Sequence, residues 1–176
     1  MPRLDVGPGP PGCPGHDSAG STRRRRGCAG IPLRRAGFAF GMTAEFSENL
    51  KKLLDDTAVF ATLATVGRNG QPHLTVIWLE RDGDELVYST TVDRQQYKNV
   101  ARDPRVTVMI VPPGDPYVYA EIRGSVTVTP DTARELPDRL SHKYTGKPYA
   151  EFNPASVNDG ERVIVRVTPT AVRGRL

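Results

Sequence analysis

The tetrapeptides Gly67-Arg68-Asn69-Gly70 and Arg81-Asp82-Gly83-Asp84 each separate two runs rich in β-branched and aromatic residues. Asn-Gly and Asp-Gly pairs supply the left-handed backbone that a tight hairpin needs, so strands on either side of such a turn run antiparallel. The runs read as strands over Thr57 to Val66, His73 to Glu80 and Glu85 to Thr91, an antiparallel meander. Val106 to Val111 and Tyr117 to Thr129 flank a Pro-Pro-Gly-Asp-Pro turn and predict two more strands, and Arg162 to Thr168 supplies the last.

Helical spacing interrupts this pattern in three places. Phe46, Leu50, Leu53 and Leu54 recur as one amphipathic face, with Thr43 as cap and Asp55-Asp56 as close. Asp93 caps a short helix through Tyr97, Val100 and Ala101, which ends before Pro104 because proline disfavours helical geometry in the preceding residue. A third helix is expected over Thr132 to Tyr144, weakened early by Pro137. Six or so antiparallel strands with two or three short helices predict a mainly β, α+β fold. Closure into a barrel, whole or split, is favoured because it removes exposed strand edges.

The first forty-one residues differ in kind. They are dense in Gly, Pro and Arg and hold few aliphatic residues to offset the entropy of ordering, which predicts a disordered leader over 1–41 and a working domain over 42–176. Met42 is a candidate alternative start of translation. The leader's seven arginines and two aspartates carry +5 of a total of +4, leaving the remainder at −1. A nearly neutral domain has no electrostatic footprint for phosphate backbones, so no nucleic-acid partner is expected. Both cysteines, Cys13 and Cys28, lie in the leader; with His16 they fall short of a zinc pattern, and no metal is expected. The cysteine-free domain fits a reducing, cytoplasmic setting. Arg34-Arg35 is too soon followed by Glu45 and Glu48 for an export signal, and no apolar run is long enough to span a membrane.

Nothing in the domain forms a nucleophile–base constellation: there is no Cys, no Gly-x-Ser-x-Gly elbow and no His-Glu-x-x-His pair. Hydrolytic chemistry therefore has little support. The start of the Asp93 helix, by contrast, offers free amides, with Arg94 and Lys98 one turn apart and Ser89 and Thr90 just before, a plausible grip for an anion. The lesser alternative for Arg94 and Lys98 is a solvated helix face. Trp78 reads as a ring platform or as packing, and His73 and His142 as structural or exposed. Tyr88, Tyr117, Tyr119 and Tyr144 mostly pack.

Taken in order, Phe60-Ala61-Thr62-Leu63-Ala64-Thr65, Gly70-Gln71-Pro72-His73, the strand through Trp78, Tyr88-Ser89-Thr90-Thr91 and Asn99-Val100-Ala101-Arg102-Asp103-Pro104-Arg105-Val106 resemble landmarks of one family. It is the pyridoxamine 5′-phosphate oxidase-like, FMN-binding split β-barrels. Arg123-Gly124 and Lys143-Tyr144-Thr145-Gly146 are similar to its deazaflavin-dependent branch. The resemblance runs from about Thr43 to Arg173. It implies a homodimer with coenzyme F420, or alternatively FMN, in a groove between protomers, and hydride transfer to a conjugated small-molecule substrate. The cofactor-binding positions it implies are His73, Leu74, Thr75, Val76, Ile77, Trp78, Ser89, Thr90, Arg94, Gln95, Gln96, Lys98 and Asn99. Gln96 stands where the family usually has a lysine, so either Lys98 takes over that charge or the binding is weakened or retuned toward another flavin. Tyr119 matches a cofactor-facing position and is the nominee for proton donor. A non-catalytic carrier of a flavin or haem-like ligand is the alternative from another class.

Overall fold

A computed structural model describes residues 44–176, apart from the Val157 side chain. The leader, the Met42 start and the Thr43 cap lie outside the described residues. In chain order the elements are α1 (Glu48–Asp56), β1 (Ala61–Val66), β2 (Pro72–Ile77), β3 (Glu80–Asp82), β4 (Glu85–Thr91), α2 (Gln95–Val100), β5 (Arg105–Ile110), β6 (Ala120–Pro130), α3 (Glu135–Thr145), α4 (Tyr149–Phe152), a 3-10 turn (Pro154–Asn158) and β7 (Arg162–Gly174).

The strands form one antiparallel sheet in the order β2-β1-β5-β6-β7-β4-β3. Its two outermost strands, β2 and β3, are separated in the chain by only Trp78 and Leu79. Three peptide steps span at most about 11 Å, so the opposite margins of the sheet must curl toward one another. They do not pair, and the result is a split barrel rather than a closed one. This corrects the single strand expected over His73 to Glu80. Pairing of β2 with β1 stops at Ala61–Ile77, and the Tyr144 hydroxyl takes the Leu79 backbone, accepting from its N–H at 3.2 Å.

Inward-facing residues alternate along each strand and fill the barrel: Leu63, Val108, Ile110, Ile122, Val165 and Val167 are fully buried, with Leu50 and Leu54 of α1 in the same cluster. Ser47 caps α1, its hydroxyl accepting from the Leu50 N–H at 3.1 Å, and Phe46 is buried ahead of the helix rather than on it. Outside the barrel, Leu136 and Leu140 of α3 pack on Val87 of β4, beside Ile164 of β7, Trp78 and Tyr144. Burial of each leucine contributes about 2 kcal/mol toward docking α3 there.

Both hairpin turns form, with Gly70 and Gly83 at positive φ. Strand β7 runs past Thr168 to Gly174, farther than Pro169 allows in a regular ladder. A bulge permits it: Gly124 pairs with Pro169 while Arg123 pairs with Ala171, so Thr170 is the extra residue. A Cβ at Gly124 would lie 2.4 Å from the Thr168 carbonyl oxygen, which explains glycine in the Arg123-Gly124 pair. The four-residue α4 is too short to leave a periodic signal.

Candidate functional site

Where the barrel is split, two strand edges face each other. Strand β2 pairs with β1 alone, and β4 beyond Val87 pairs with β7 alone, because β3 covers only Glu85 to Val87. Along the seam, Thr75 to Ile77 and Ser89 to Thr91 thus present backbone donors and acceptors that have no sheet partner. A cleft of about 230 Å³ lies here, lined by both edges, by Trp78, by Arg94 and Gln96 of α2, and by Pro137, Leu140, Tyr149, Phe152 and Arg162.

Each wall has its own physical cause. Trp78 sits where the chain crosses from one sheet margin to the other, and its ring meets Phe152 of α4 at 5.0 Å, tilted by 49°. Proline 148 opens α4, and the Asp138 carboxylate accepts from the Tyr149 N–H at 2.9 Å, which docks this turn on α3. Gln96 is buried and its amide donates to the Thr90 hydroxyl at 3.0 Å. Asp93 does not cap α2; the Thr91 hydroxyl donates to it instead, and that bond holds the Asp93 carboxyl below its ordinary value. Arg94 takes the capping position without a side-chain cap bond.

Of the positions named from the sequence, Thr75, Val76, Ile77, Trp78, Ser89, Thr90, Arg94 and Gln96 come together in the cleft. The others lie elsewhere. Leu74 points outward and is exposed, and His73 is half-buried, its Nδ1 without a partner among the described residues. Asn99 is wholly buried, donating to the Thr65 hydroxyl at 2.9 Å and accepting from exposed Gln95 at 2.8 Å, so this pair ties α2 to β1. Lys98 is exposed and is not among the cleft's residues, so it does not bring its charge to the place beside Gln96. Tyr119 lies with Tyr117, Gly174 and Arg175 in a separate depression within the single chain.

Sequence reasoning missed Arg162, Tyr149 and Phe152. Arg162 opens a strand that was expected, yet nothing local marks a strand's first residue as a ligand. Arg162 as a residue is only 7% exposed, and its guanidinium is held by Asp159 at 2.5 Å, the Tyr149 hydroxyl at 2.7 Å and the Ser89 hydroxyl at 3.2 Å. It also lies over the Tyr149 ring, 4.7 Å from the centroid. Among the described residues no group of three or more His, Cys, Asp or Glu side chains converges to hold a metal, and no helix is long and apolar enough to cross a membrane.

The residues present fit a flavin-type group: unpaired strand edges suit the polar rim of a tricycle, Trp78 and Phe152 its faces, and two arginines an anionic arm. The comparisons with known proteins point the same way. A family model described as pyridoxamine 5′-phosphate oxidase matches residues 46–176. An F420 reductase of known structure is 33% identical, with a TM-score of 0.60, the match covering 69% of this chain and 94% of that one. A conserved hypothetical protein from Mycobacterium tuberculosis is 24% identical (TM-score 0.59; 74% and 84% covered), and a pyridoxamine 5′-phosphate oxidase candidate from Listeria innocua 20% identical (TM-score 0.52; 72% and 94% covered). No curated protein matches. With its barrel split at the seam and the family match spanning nearly every described residue, the chain belongs to the pyridoxamine 5′-phosphate oxidase family.

Proposed function

We propose that this chain is an oxidoreductase that binds coenzyme F420 in the seam cleft and passes its hydride to a conjugated small molecule, working as a cytoplasmic homodimer. The observation that carries the reading is the seam itself: β2 and β4 present unpaired edges to one cleft that also holds Arg94 and Arg162. The 33% identity to an F420 reductase favours the deazaflavin over FMN.

When bound, the deazaflavin supplies a hydride at its ring. The chain's own part is binding and orientation. Backbone groups of Thr75 to Ile77 meet the polar rim, Trp78 packs the ring, the Ser89 and Thr90 hydroxyls donate from the opposite edge, and Arg94 neutralises the acidic arm.

The dimer is supported by an apolar outer face. Leu74 and Val76 on β2 are 63% and 66% exposed, and Val76 lies across Thr62 from Met109, with Phe60 also exposed nearby in β1's lead-in. Such a contiguous patch is costly to leave in water, and a second copy of the same face removes it. Val76 also lines the cleft, so a partner laid there walls the site, and Tyr119, which lines a separate depression in the single chain, is the proposed proton donor once the groove between protomers is formed.

Parallel titrations with reduced coenzyme F420 and with FMN test the cofactor. Tighter binding of F420, followed by oxidation of the bound coenzyme in the presence of a quinone or enone acceptor, is expected. Preference for FMN would move the assignment to that cofactor, and binding of either without turnover would make the protein a carrier. Sedimentation of a Leu74→Lys/Val76→Lys double variant is expected to show monomers that have lost cofactor binding.

A further inference from the structure

Arg162 is a buried cation with donors to spare. Of its five N–H groups, two on Nη2 go to Asp159 and Tyr149 and one on Nη1 goes to Ser89. Nε is buried and has no partner among the described residues, and Nη1 makes only the bond to Ser89 there. An arginine retained only to brace β7 against α4 would be expected to have its buried donors satisfied, since each one left unpaired costs about 1–3 kcal/mol.

The charge around it is lopsided. The cleft's lining contains two guanidiniums, from Arg94 on α2 and Arg162 on β7, and no carboxylate. Asp159 stands outside that lining, on the other side of Arg162, where both help to line a second depression. The cleft's lining therefore combines two guanidiniums with the apolar surface of Leu140, Phe152 and Trp78.

We infer that Arg162 receives an oxyanion, a phosphate or carboxylate borne on an apolar or planar body, and that Asp159 holds the guanidinium in place and tempers its affinity. The inference rests on the seam cleft being the ligand site, as proposed above, but not on the ligand being a flavin. Guanidinium suits this role because it remains charged when buried and presents a rigid set of donors to oxyanions. The oxyanion belongs either to the cofactor's acidic arm or to an acidic acceptor molecule.

Inorganic phosphate is the direct probe, titrated against the full chain at constant ionic strength with thermal unfolding as the readout. Wild type is expected to show a saturable rise in Tm. Arg162→Gln is expected to weaken the phosphate midpoint at least tenfold, Arg162→Lys less, and Asp159→Asn to tighten it. No saturable response in the wild type, or a midpoint in Arg162→Gln equal to the wild type's, overturns the inference even if the variant's own Tm falls. Should Arg162→Gln not fold, an unchanged midpoint in Asp159→Asn overturns it. Titrating FMN beside riboflavin separates the sources. Loss confined to FMN in Arg162→Gln assigns the oxyanion to the cofactor, and equal behaviour of both flavins with phosphate affinity lost assigns it to the acceptor. Phosphate binding through Arg162 without any flavin or F420 binding would sink only the cofactor reading.

Discussion

Trp78 stacks on Tyr144, with ring centroids 5.1 Å apart and planes inclined by only 12°. The same tyrosine's hydroxyl donates to the Val59 carbonyl at 2.6 Å and accepts from the Leu79 N–H, so one α3 side chain fixes the crossing between the sheet's two margins. Tyr144→Phe keeps the ring and removes the hydroxyl, leaving half-buried backbone groups unpaired. A loss of about 1–3 kcal/mol in urea unfolding is expected, with Trp78 fluorescence changing at the site.

Tyr88 gives the opposite sign. It is fully buried inside the barrel, its hydroxyl has no partner among the described residues, and burial pushes its pKa well above the ordinary 10. Tyr88→Phe removes a desolvated polar atom and keeps the ring's packing. Chemical denaturation is expected to show a gain of about 1 kcal/mol or at least no loss.

Two basic residues of α2 are separable by position. Arg94 lines the cleft and Lys98 does not. Arg94→Ala is expected to weaken the preferred cofactor by tenfold or more, about 1.4 kcal/mol, in a binding titration, while Lys98→Ala leaves affinity within twofold of wild type. Equal losses would mean that the two act only through long-range charge.

Acid sensitivity has one local source in Asp103. The Arg105 guanidinium, hydrogen-bonded to it at 2.6 Å, holds its carboxyl down at about 2 against an ordinary 3.8. A carboxylate depressed in the folded state stabilises above its unfolded pKa, and that contribution is lost as pH falls through the folded value. Because Arg105 is solvent-facing, water screens the pair and its contribution at neutral pH is small. Asp103→Asn is expected to show this small deficit at pH 7, with the two proteins converging as pH drops from 3.8 toward 2.

The sequence made the hairpins and half of the cleft legible because those signals are local. Gly70 and Gly83 had to take positive φ, and Ser89 to Gln96 form one continuous strand-turn-helix segment whose residues reach the same place. The break at Trp78-Leu79 was not legible, because its cause, the Tyr144 hydroxyl, lies 65 residues away. Arg162 was invisible for the same reason: its partners Ser89 and Tyr149 are 73 and 13 residues distant. Lys98 had the right charge at a plausible spacing, yet it lies outside the cleft, a fact of helix orientation that spacing to Arg94 does not determine.

Among the described residues, β7 alone bridges two sets of strands, β2-β1-β5-β6 on one side and β4-β3 on the other. Without β7 the two sets have no sheet partner in common, and the cleft, which draws walls from both, has no geometry. Docking of one strand therefore completes barrel and cleft in a single step, and loosening β7 costs both together.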